Sequence, residues 1–451
     1  MTLNWGWILI RITVVLAILI LLFLSQRFWY RGTWRLTGRI PNRTLRGALR
    51  GAWIVALILV ILATADGLRM QRGHLIPHGS LIMALAGLWL SSAFFAYLCV
   101  KVVVGCEWLW RRAKLLRAPR SQTTAKSDDR PSPSPSENVL PNPSRRYFFQ
   151  TASVLAGSVP FVGALYGFAS ERLRYQIREV SIPLANLPPA LEGLRIVQLS
   201  DIHCSGYMTR EQVRRAVDMA NELSADLAVV TGDFITSASD PLAECIAELA
   251  RLRAPLGVWG CNGNHEVYAR AEAEAQDLFH RAGMRLLRQE NVQLAWRGAP
   301  FNLIGVDYQR QRTASGRLLQ MLPHVKRLVR HDMPNILLSH NPNSFPRAAE
   351  LGIELQLTGH THGGQVQVEI LDHRFSPARF FTPFIAGLYQ LPLAVAPASA
   401  RSSSPSHESP ATSHVSPRQA CLYVNRGLGT VGAPVRIGVP PEITLLTLLP
   451  A

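Results

Sequence analysis

The sequence predicts an α/β layered domain preceded by an N-terminal region of membrane-spanning helices, and three observations carry that prediction. Long apolar runs are confined to residues 1–170 of a 451-residue chain that is 48% apolar. From about residue 176 onward, short apolar runs of strand length alternate with stretches of helical periodicity. Polar motifs follow nearly every one of those short runs, where an open α/β sheet places its binding sites.

The apolar runs come first along the chain. Residues 5–24 (WGWILIRITVVLAILILLFL), 52–65 with their flanks (AWIVALILVILATA) and 80–104 are each about as long as a bilayer crossing requires. A further run, Tyr147 to Ala169, is less apolar and richer in Gly and Ser, and reads as a fourth transmembrane helix or a signal anchor. These runs divide the chain into a transmembrane region with three helices (1–110), a flexible basic Pro/Ser-rich linker (111–146), the fourth helix (147–170) and a folded domain (176–451). A Ser/Pro-rich stretch, 396–417, is expected to be a disordered insertion in that domain.

The net charge of +17 first suggests nucleic acid, but its distribution argues for a membrane. Residues 27–50 hold seven arginines and no acid, and residues 111–146 hold nine Lys or Arg against three acids, so these two segments supply 13 of the 17 charges. Basic loops flanking apolar spans are retained on the cytoplasmic side. With four spans, this predicts a multi-pass protein of the cell inner membrane whose C-terminal domain lies on the extracytoplasmic face, with no nucleic-acid partner. "SRRYFF", Ser144 to Phe149, resembles a twin-arginine export signal and serves equally well as two more positive-inside arginines. The six cysteines show no CxxC spacing. Cys204 and Cys261 adjoin candidate site loops and could pair outside the cytoplasm, although free buried thiols are the simpler state.

In the folded part, apolar runs at 194–199, 227–230, 257–259, 301–306, 336–338 and 355–357 predict strands, and helical patterns fall at 210–223, 241–252, 269–282 and 317–329. The strand ends carry, in order, "SDIHCS" (Asp201, His203), "TGDF" (Asp233), "NGNHE" (Asn264, His265, Glu266), "LSHNP" (His340) and "GHTHGGQ" (His360, His362). Each motif alone is weak; their ordered recurrence at strand ends points to one site. Holding two divalent cations side by side takes a bridging carboxylate and further donors on each ion. Asp233 is the natural bridge; Asp201, His203 and His362 could serve one ion, and Asn264, His340 and His360 the other. Residues 360 and 362 are expected to project the same way from an extended segment, with Gly359, Gly363 and Gly364 keeping bulk away. The His, Asn and Asp donor set, free of thiolate, suits Mn²⁺, Fe²⁺ or Zn²⁺.

The order D-x-H, G-D, G-N-H-E, H, G-H-x-H over residues 194–368 resembles the calcineurin-like metallophosphoesterase superfamily, and the C-terminal "LYVNRGLGTVGAPVRIGVPPEITLLTL" is similar to its membrane-associated or exported bacterial branch. The resemblance implies a four-layer fold with a β-sandwich core flanked by helices, two metals on the residues above, and hydrolysis of a phosphodiester or phosphomonoester. His265 matches the histidine that assists the leaving group or contacts the phosphoryl oxygens. One departure is Thr236, where relatives often carry a second Asp three residues after the G-D pair; the serine-proline insertion is another. Tethering beside a membrane suggests a lipid, glycolipid or cell-envelope phosphate ester as substrate, the UDP-diacylglucosamine type among them. The competing reading is a catalytically weak metal-binding sensor or scaffold. Oligomeric state is left open.

Overall fold

Strands covered on both faces favour continuous apolar sequence, and LAVV and the ILL of NILL read that way, whereas LQLT alternates Leu with Gln356 and Thr358, whose side chains donate to Ser344 Oγ and the Tyr423 carbonyl; each of these segments is buried at every position. A computed structural model describes residues 5–67, 80–117, 143–185, 187–313, 316–370, 373–380, 382–393 and 418–451. Four long helices come first: α1 (Trp5–Gly38), α2 (Arg43–Gly67), α3 (Leu81–Arg117) and α4 (Pro143–Ala169). Each includes a stretch long and apolar enough to cross a membrane, at Ile12–Gly38, Arg43–Asp66, Leu81–Ala113 and Tyr147–Leu173. The two ends of the expected linker 111–146 are helical. Residues 111–117 continue α3, helped by a Glu107 to Arg111 pair one turn apart, and residues 143–146 open α4. Residues 118–142 and the insertion at 396–417 lie outside the described residues.

The described chain forms two compact units. One comprises residues 13–56 and 88–164. In it Trp53 meets Trp89 edge-on at 4.9 Å and Trp29 meets Phe161 at 5.6 Å, while Ser25 Oγ and Trp29 Nε1 both donate to the Ala93 carbonyl, at 3.0 and 2.9 Å. Aromatic packing and satisfied polar groups hold helices together where apolar burial alone would not.

The other unit, residues 1–12, 57–87 and 165–451, contains the sheets. After β1 (Gln176–Leu184) come β2 (Arg195–Leu199), α5 (Arg210–Glu222), β3 (Leu227–Thr231), α6 (Leu242–Leu249), β4 (Val258–Cys261), α7 (Asn264–Ala269), α8 (Glu272–Arg281) and β5 (Arg285–Leu286). The second half runs β6 (Glu290–Trp296), β7 (Ala299–Gly305), β8 (Asn335–Leu338), α9 (Phe345–Glu350), β9 (Leu355–Thr358), β10 (Val368–Ile370), β11 (His373–Phe375), β12 (Gly387–Pro392), β13 (Gln419–Val424) and β14 (Glu442–Pro450). One six-stranded sheet has the order β1-β14-β2-β3-β4-β5 and the other β12-β13-β9-β8-β7-β6, with β10 and β11 forming a separate ribbon.

Ile196, Val229 and Trp259 of the first sheet share an apolar cluster with Phe301, Ile336, Leu357 and Tyr423 of the second, so the two sheets face each other across a sandwich core. Val217, Ile246 and Phe279 bring α5, α6 and α8 onto the outer face of the first sheet, and Phe345 and Ala348 bring α9 onto the second. This is the four-layer arrangement.

Two expected helices are corrected. The pattern over 317–329 leaves only a 3-10 turn at Val325–Leu328, because Pro323 has no N–H to donate and Leu322 and His324 take left-handed backbone (φ 52° and 66°). The pattern over 269–282 is cut by Arg270 at φ 58°, which ends α7 and lets α8 start afresh. The structure also holds six free cysteines: Cys204 packs in the helix-side core together with Cys245, while Cys261 lies in the sandwich core, so Cys204 and Cys261 do not pair.

Candidate metal centre

Every chemistry-bearing motif sits where a strand ends and the backbone must turn sharply. Asp201 and His203 follow β2, Asp233 follows β3, Asn264 and His265 open α7 after β4, His340 follows β8, and His360 and His362 follow β9. Five of these residues have left-handed backbone: Asp201 (φ 48°), His203 (49°), Asp233 (55°), His360 (77°) and His362 (52°). For non-glycine residues this conformation is strained, and strain concentrated on functional side chains is maintained by the surrounding fold. His360 and His362 therefore do not project from an extended segment; a left-handed turn leading into a 3-10 turn at His362–Gly364 aims them apart. The neighbouring Gly359 is obligatory, since a Cβ there would lie 2.0 Å from Ser200 Oγ and 2.1 Å from Asp201 Oδ2.

The turns place donor atoms in two groups that share one carboxylate. Asp201, His203, Asp233 and His362 form the first, and Asp233, His340 and His360 the second, with the donor atoms of each group within 4.8 Å of one another. Asp233 Oδ2 lies 3.0 Å from His340 Nε2 and 3.6 Å from His203 Nε2; His362 Nε2 lies 3.3 Å from Asp201 Oδ1 and 3.2 Å from His203 Nε2. Asn264 is buried, next in sequence to His265, and its Oδ1 has no hydrogen-bond partner among the described residues. Buried polar atoms without partners are costly, and a cation would satisfy them. Carboxylate, imidazole and amide oxygen together are the donor chemistry of a divalent transition metal, so the residues present fit such ions.

Several tautomers follow from partners that can only accept. His340 Nδ1–H donates to the Thr231 carbonyl at 2.6 Å and His265 Nδ1–H to the Thr236 carbonyl at 2.7 Å, which leaves Nε2 as the available nitrogen of each ring. His203 Nδ1 pairs with Thr236 Oγ1 at 3.0 Å; the hydroxyl can donate or accept, so this contact orients the ring without fixing its tautomer, and Nε2 faces Asp233 and His362. Burial, with the neighbouring histidines, holds His203 and His362 well below the usual imidazole range, and burial next to His340 lowers His360 to about 3. These three rings are neutral lone-pair donors at neutral pH. Burial would lower His340 as well, but the Asp233 and Asp201 carboxylates beside it prevail and raise it to about 10. The Asp201 carboxyl is raised to about 6 by burial, while Asp233, despite its own burial, is held well below the carboxylate range by the imidazoles around it.

Several residues support the donors without being donors themselves. Glu266 is fully buried and its carboxylate accepts from the backbone N–H groups of Gly263 (2.8 Å), Asp233 (2.9 Å) and Phe234 (2.8 Å), tying two of the site turns together. Its only signal is its place in "NGNHE", directly after Asn264 and His265. Arg436, also fully buried, donates to the carbonyls of Gly427, Gly429 and Val439, and so holds the loop whose Gly429 N–H donates to the Asp201 carbonyl at 2.7 Å. Tyr268, Tyr308 and Arg310 stand close to the donor histidines with no motif to mark them.

Residues 194–364 match the sequence profile described as calcineurin-like phosphoesterase. Over 98% of its length the chain is 28% identical to a Danio rerio protein named "Transmembrane protein with metallophosphoesterase domain", covering 90% of that protein. A Bos taurus protein of the same name is 30% identical over 65% of this chain and 62% of its own length. "Uncharacterized metallophosphoesterase YkuE" of Bacillus subtilis is 28% identical over 68% of this chain and 97% of its own.

Proposed function

The chain belongs to the calcineurin-like metallophosphoesterase superfamily, and from that premise we propose that it is a membrane-anchored phosphoesterase using two divalent ions, Mn²⁺, Fe²⁺ or Zn²⁺, to hydrolyse a phosphodiester or phosphomonoester. The observation that carries this reading is the pair of donor groups sharing Asp233, since a shared carboxylate with further carboxylate and imidazole donors on either side is what two adjacent cations require. Asp201, His203 and His362 would hold one ion and Asn264, His340 and His360 the other, with Asp233 between. When bound, the ions supply charge neutralisation at the phosphoryl oxygens and a nucleophilic oxygen at neutral pH. The chain's own residues do the rest. His265 keeps Nδ1–H on the Thr236 carbonyl, so in the imidazolium form its Nε2–H is the group that would deliver a proton to the departing oxygen, leaving the neutral Nδ1–H ring behind. Its backbone N–H donates to Asp233 Oδ1 at 2.9 Å, which fixes the carboxylate and the ring together.

The positive-inside arginines support a multi-pass placement in a cell inner membrane, with domain 176–451 on the extracytoplasmic face and spans within 1–110 and 147–170. A domain held there would meet lipid-linked or envelope phosphate esters. The test uses the full chain in detergent, stripped of metal and resupplied with Mn²⁺, Fe²⁺ or Zn²⁺, with bis(p-nitrophenyl) phosphate and p-nitrophenyl phosphate as probes. Metal-dependent turnover is expected, with kcat for Asp233→Asn and His265→Gln lowered about 10²–10⁴-fold. Turnover that survives in Asp233→Asn would overturn the assignment.

A further inference from the structure

We propose that Tyr268, Tyr308 and Arg310 form a subsite that recognises a second anionic group on the substrate, separate from the phosphate that is cleaved. This rests on the phosphoesterase reading and adds a substrate class to it. Tyr268 comes from α7, Tyr308 and Arg310 from the loop after β7, and the three side chains gather beside the site histidines. The Tyr308 ring lies 5.4 Å from His360 and 6.2 Å from His340, and the Tyr268 ring 5.6 Å from His265. Burial, with the Tyr268 phenol nearby, raises the Tyr308 phenol, so the two tyrosines are neighbours that flank the centre from the His265 side to the His360 side. The Arg310 guanidinium sits over the Tyr268 ring at 5.5 Å, one aromatic ring beyond His265.

The loop that carries Tyr308 is fixed in place. Asp307, which opens the loop, accepts from Asn262 Nδ2 at 2.8 Å and from Arg288 Nε at 2.9 Å, and so is fastened to the turn that carries Asn264 and His265. Two residues on, the Gln309 carbonyl accepts from Asn341 Nδ2 at 2.9 Å, beside His340. Tyr308 is therefore held between two anchors that also carry candidate metal ligands.

Charge gives the chemistry of the ligand. Asp307 is already satisfied by Arg288 and Asn262, whereas Arg310 is exposed and has no carboxylate partner among the described residues. An arginine whose planar fork is free, set beside phenol hydroxyls, is suited to phosphate or carboxylate oxygens. The ions would take the scissile phosphate; Arg310, one ring farther out, would take a negative group a few bonds away.

A matched pair of probes isolates that group: thymidine 5′-(p-nitrophenyl phosphate) with and without a 3′-phosphate, which share the reacting ester and leaving group. For the metal-loaded full chain, kcat/KM should be about tenfold higher with the 3′-phosphate. Arg310→Ala should lower this preference about tenfold, through KM more than kcat, Arg310→Lys should keep most of it, and Tyr308→Phe should lower it in part. The binding arm needs no turnover: thymidine 3′,5′-bisphosphate should bind wild type about tenfold more tightly than thymidine 5′-phosphate, and Arg310→Ala should remove the difference. No preference in wild type, or equal loss on both probes in Arg310→Ala, overturns the subsite. Preserved binding preference without turnover of either probe would count against the phosphoesterase reading and leave the subsite standing.

Discussion

At the scale of single residues, the centre depends on side chains that never reach the substrate. Thr236 is the clearest. It stands where relatives often carry an acid, yet one residue orients two site histidines: its hydroxyl pairs with His203 Nδ1 and its carbonyl accepts from His265 Nδ1. Thr236→Val removes the hydroxyl, keeps the carbonyl and nearly preserves volume, so it should weaken metal retention by roughly 10–100-fold while leaving His265 oriented. Metal content after dialysis against graded chelator measures this, and turnover at saturating metal within about threefold of wild type would show that His265 is unaffected. Wild-type metal retention would show that His203 is held by something else. The donors themselves were legible in the sequence because each needs a particular residue type at a strand end. Glu266, Arg436 and the Tyr268 and Tyr308 pair were not legible in the same way, since burial, backbone hydrogen bonding and ring contact leave no local spacing to read.

At the scale of elements, the layer of helices on the first sheet is clamped by one buried acid. Glu248, on α6, accepts from Arg214 Nη2 at 2.9 Å and Nε at 3.0 Å, with Arg210 and Arg251 also on it, which locks α6 to α5. The Arg214 hydrogen bonds, with those of Arg210 and Arg251, outweigh burial and lower its pKa from 4.5 to about 2. A depressed carboxylate stabilises the fold above its unfolded-state pKa and loses that contribution as pH falls through the folded value. Glu248→Gln should thus lower Tm by roughly 2–4 °C at pH 7, with the gap narrowing below about pH 4.5 and closing near pH 2. Thermal melts of both proteins across that range decide it; a gap that widens on acidification would place the stabilisation elsewhere. Apolar runs announced β2, β3, β7, β8 and β9 because those strands are buried in the sandwich. The sequence hid β6, which alternates partly buried and exposed residues, and β12, which lies at a sheet edge and alternates likewise. The false helix at 317–329 had helical spacing with Pro323 inside it, and the proline decided the outcome.

At the scale of the whole molecule, the distribution of charge is what supports the proposed placement of the sheet domain, because the sandwich itself has no preferred side of a membrane. The arginines of 27–50 and the basic residues of 111–146 sit beside apolar helices, and a bilayer inserts such segments with those flanks in the cytoplasm. On the proposed four-span topology, residues after α4 would lie outside. The described helices supply the necessary lengths, including 27 residues for Tyr147–Leu173. The pair Arg145 and Arg146 acts in this account through charge alone, so Arg145→Lys combined with Arg146→Lys should leave export intact. Alkaline phosphatase fused after Ala451 is the reporter: it should be active in wild type and within about twofold in the double lysine variant, and β-galactosidase fused at the same point should be inactive. Active β-galactosidase would put the domain in the cytoplasm and remove the case for an envelope substrate. Loss of alkaline phosphatase activity in the lysine variant alone would instead mean that a twin-arginine receptor reads the pair, since lysine keeps the charge and discards only the guanidinium.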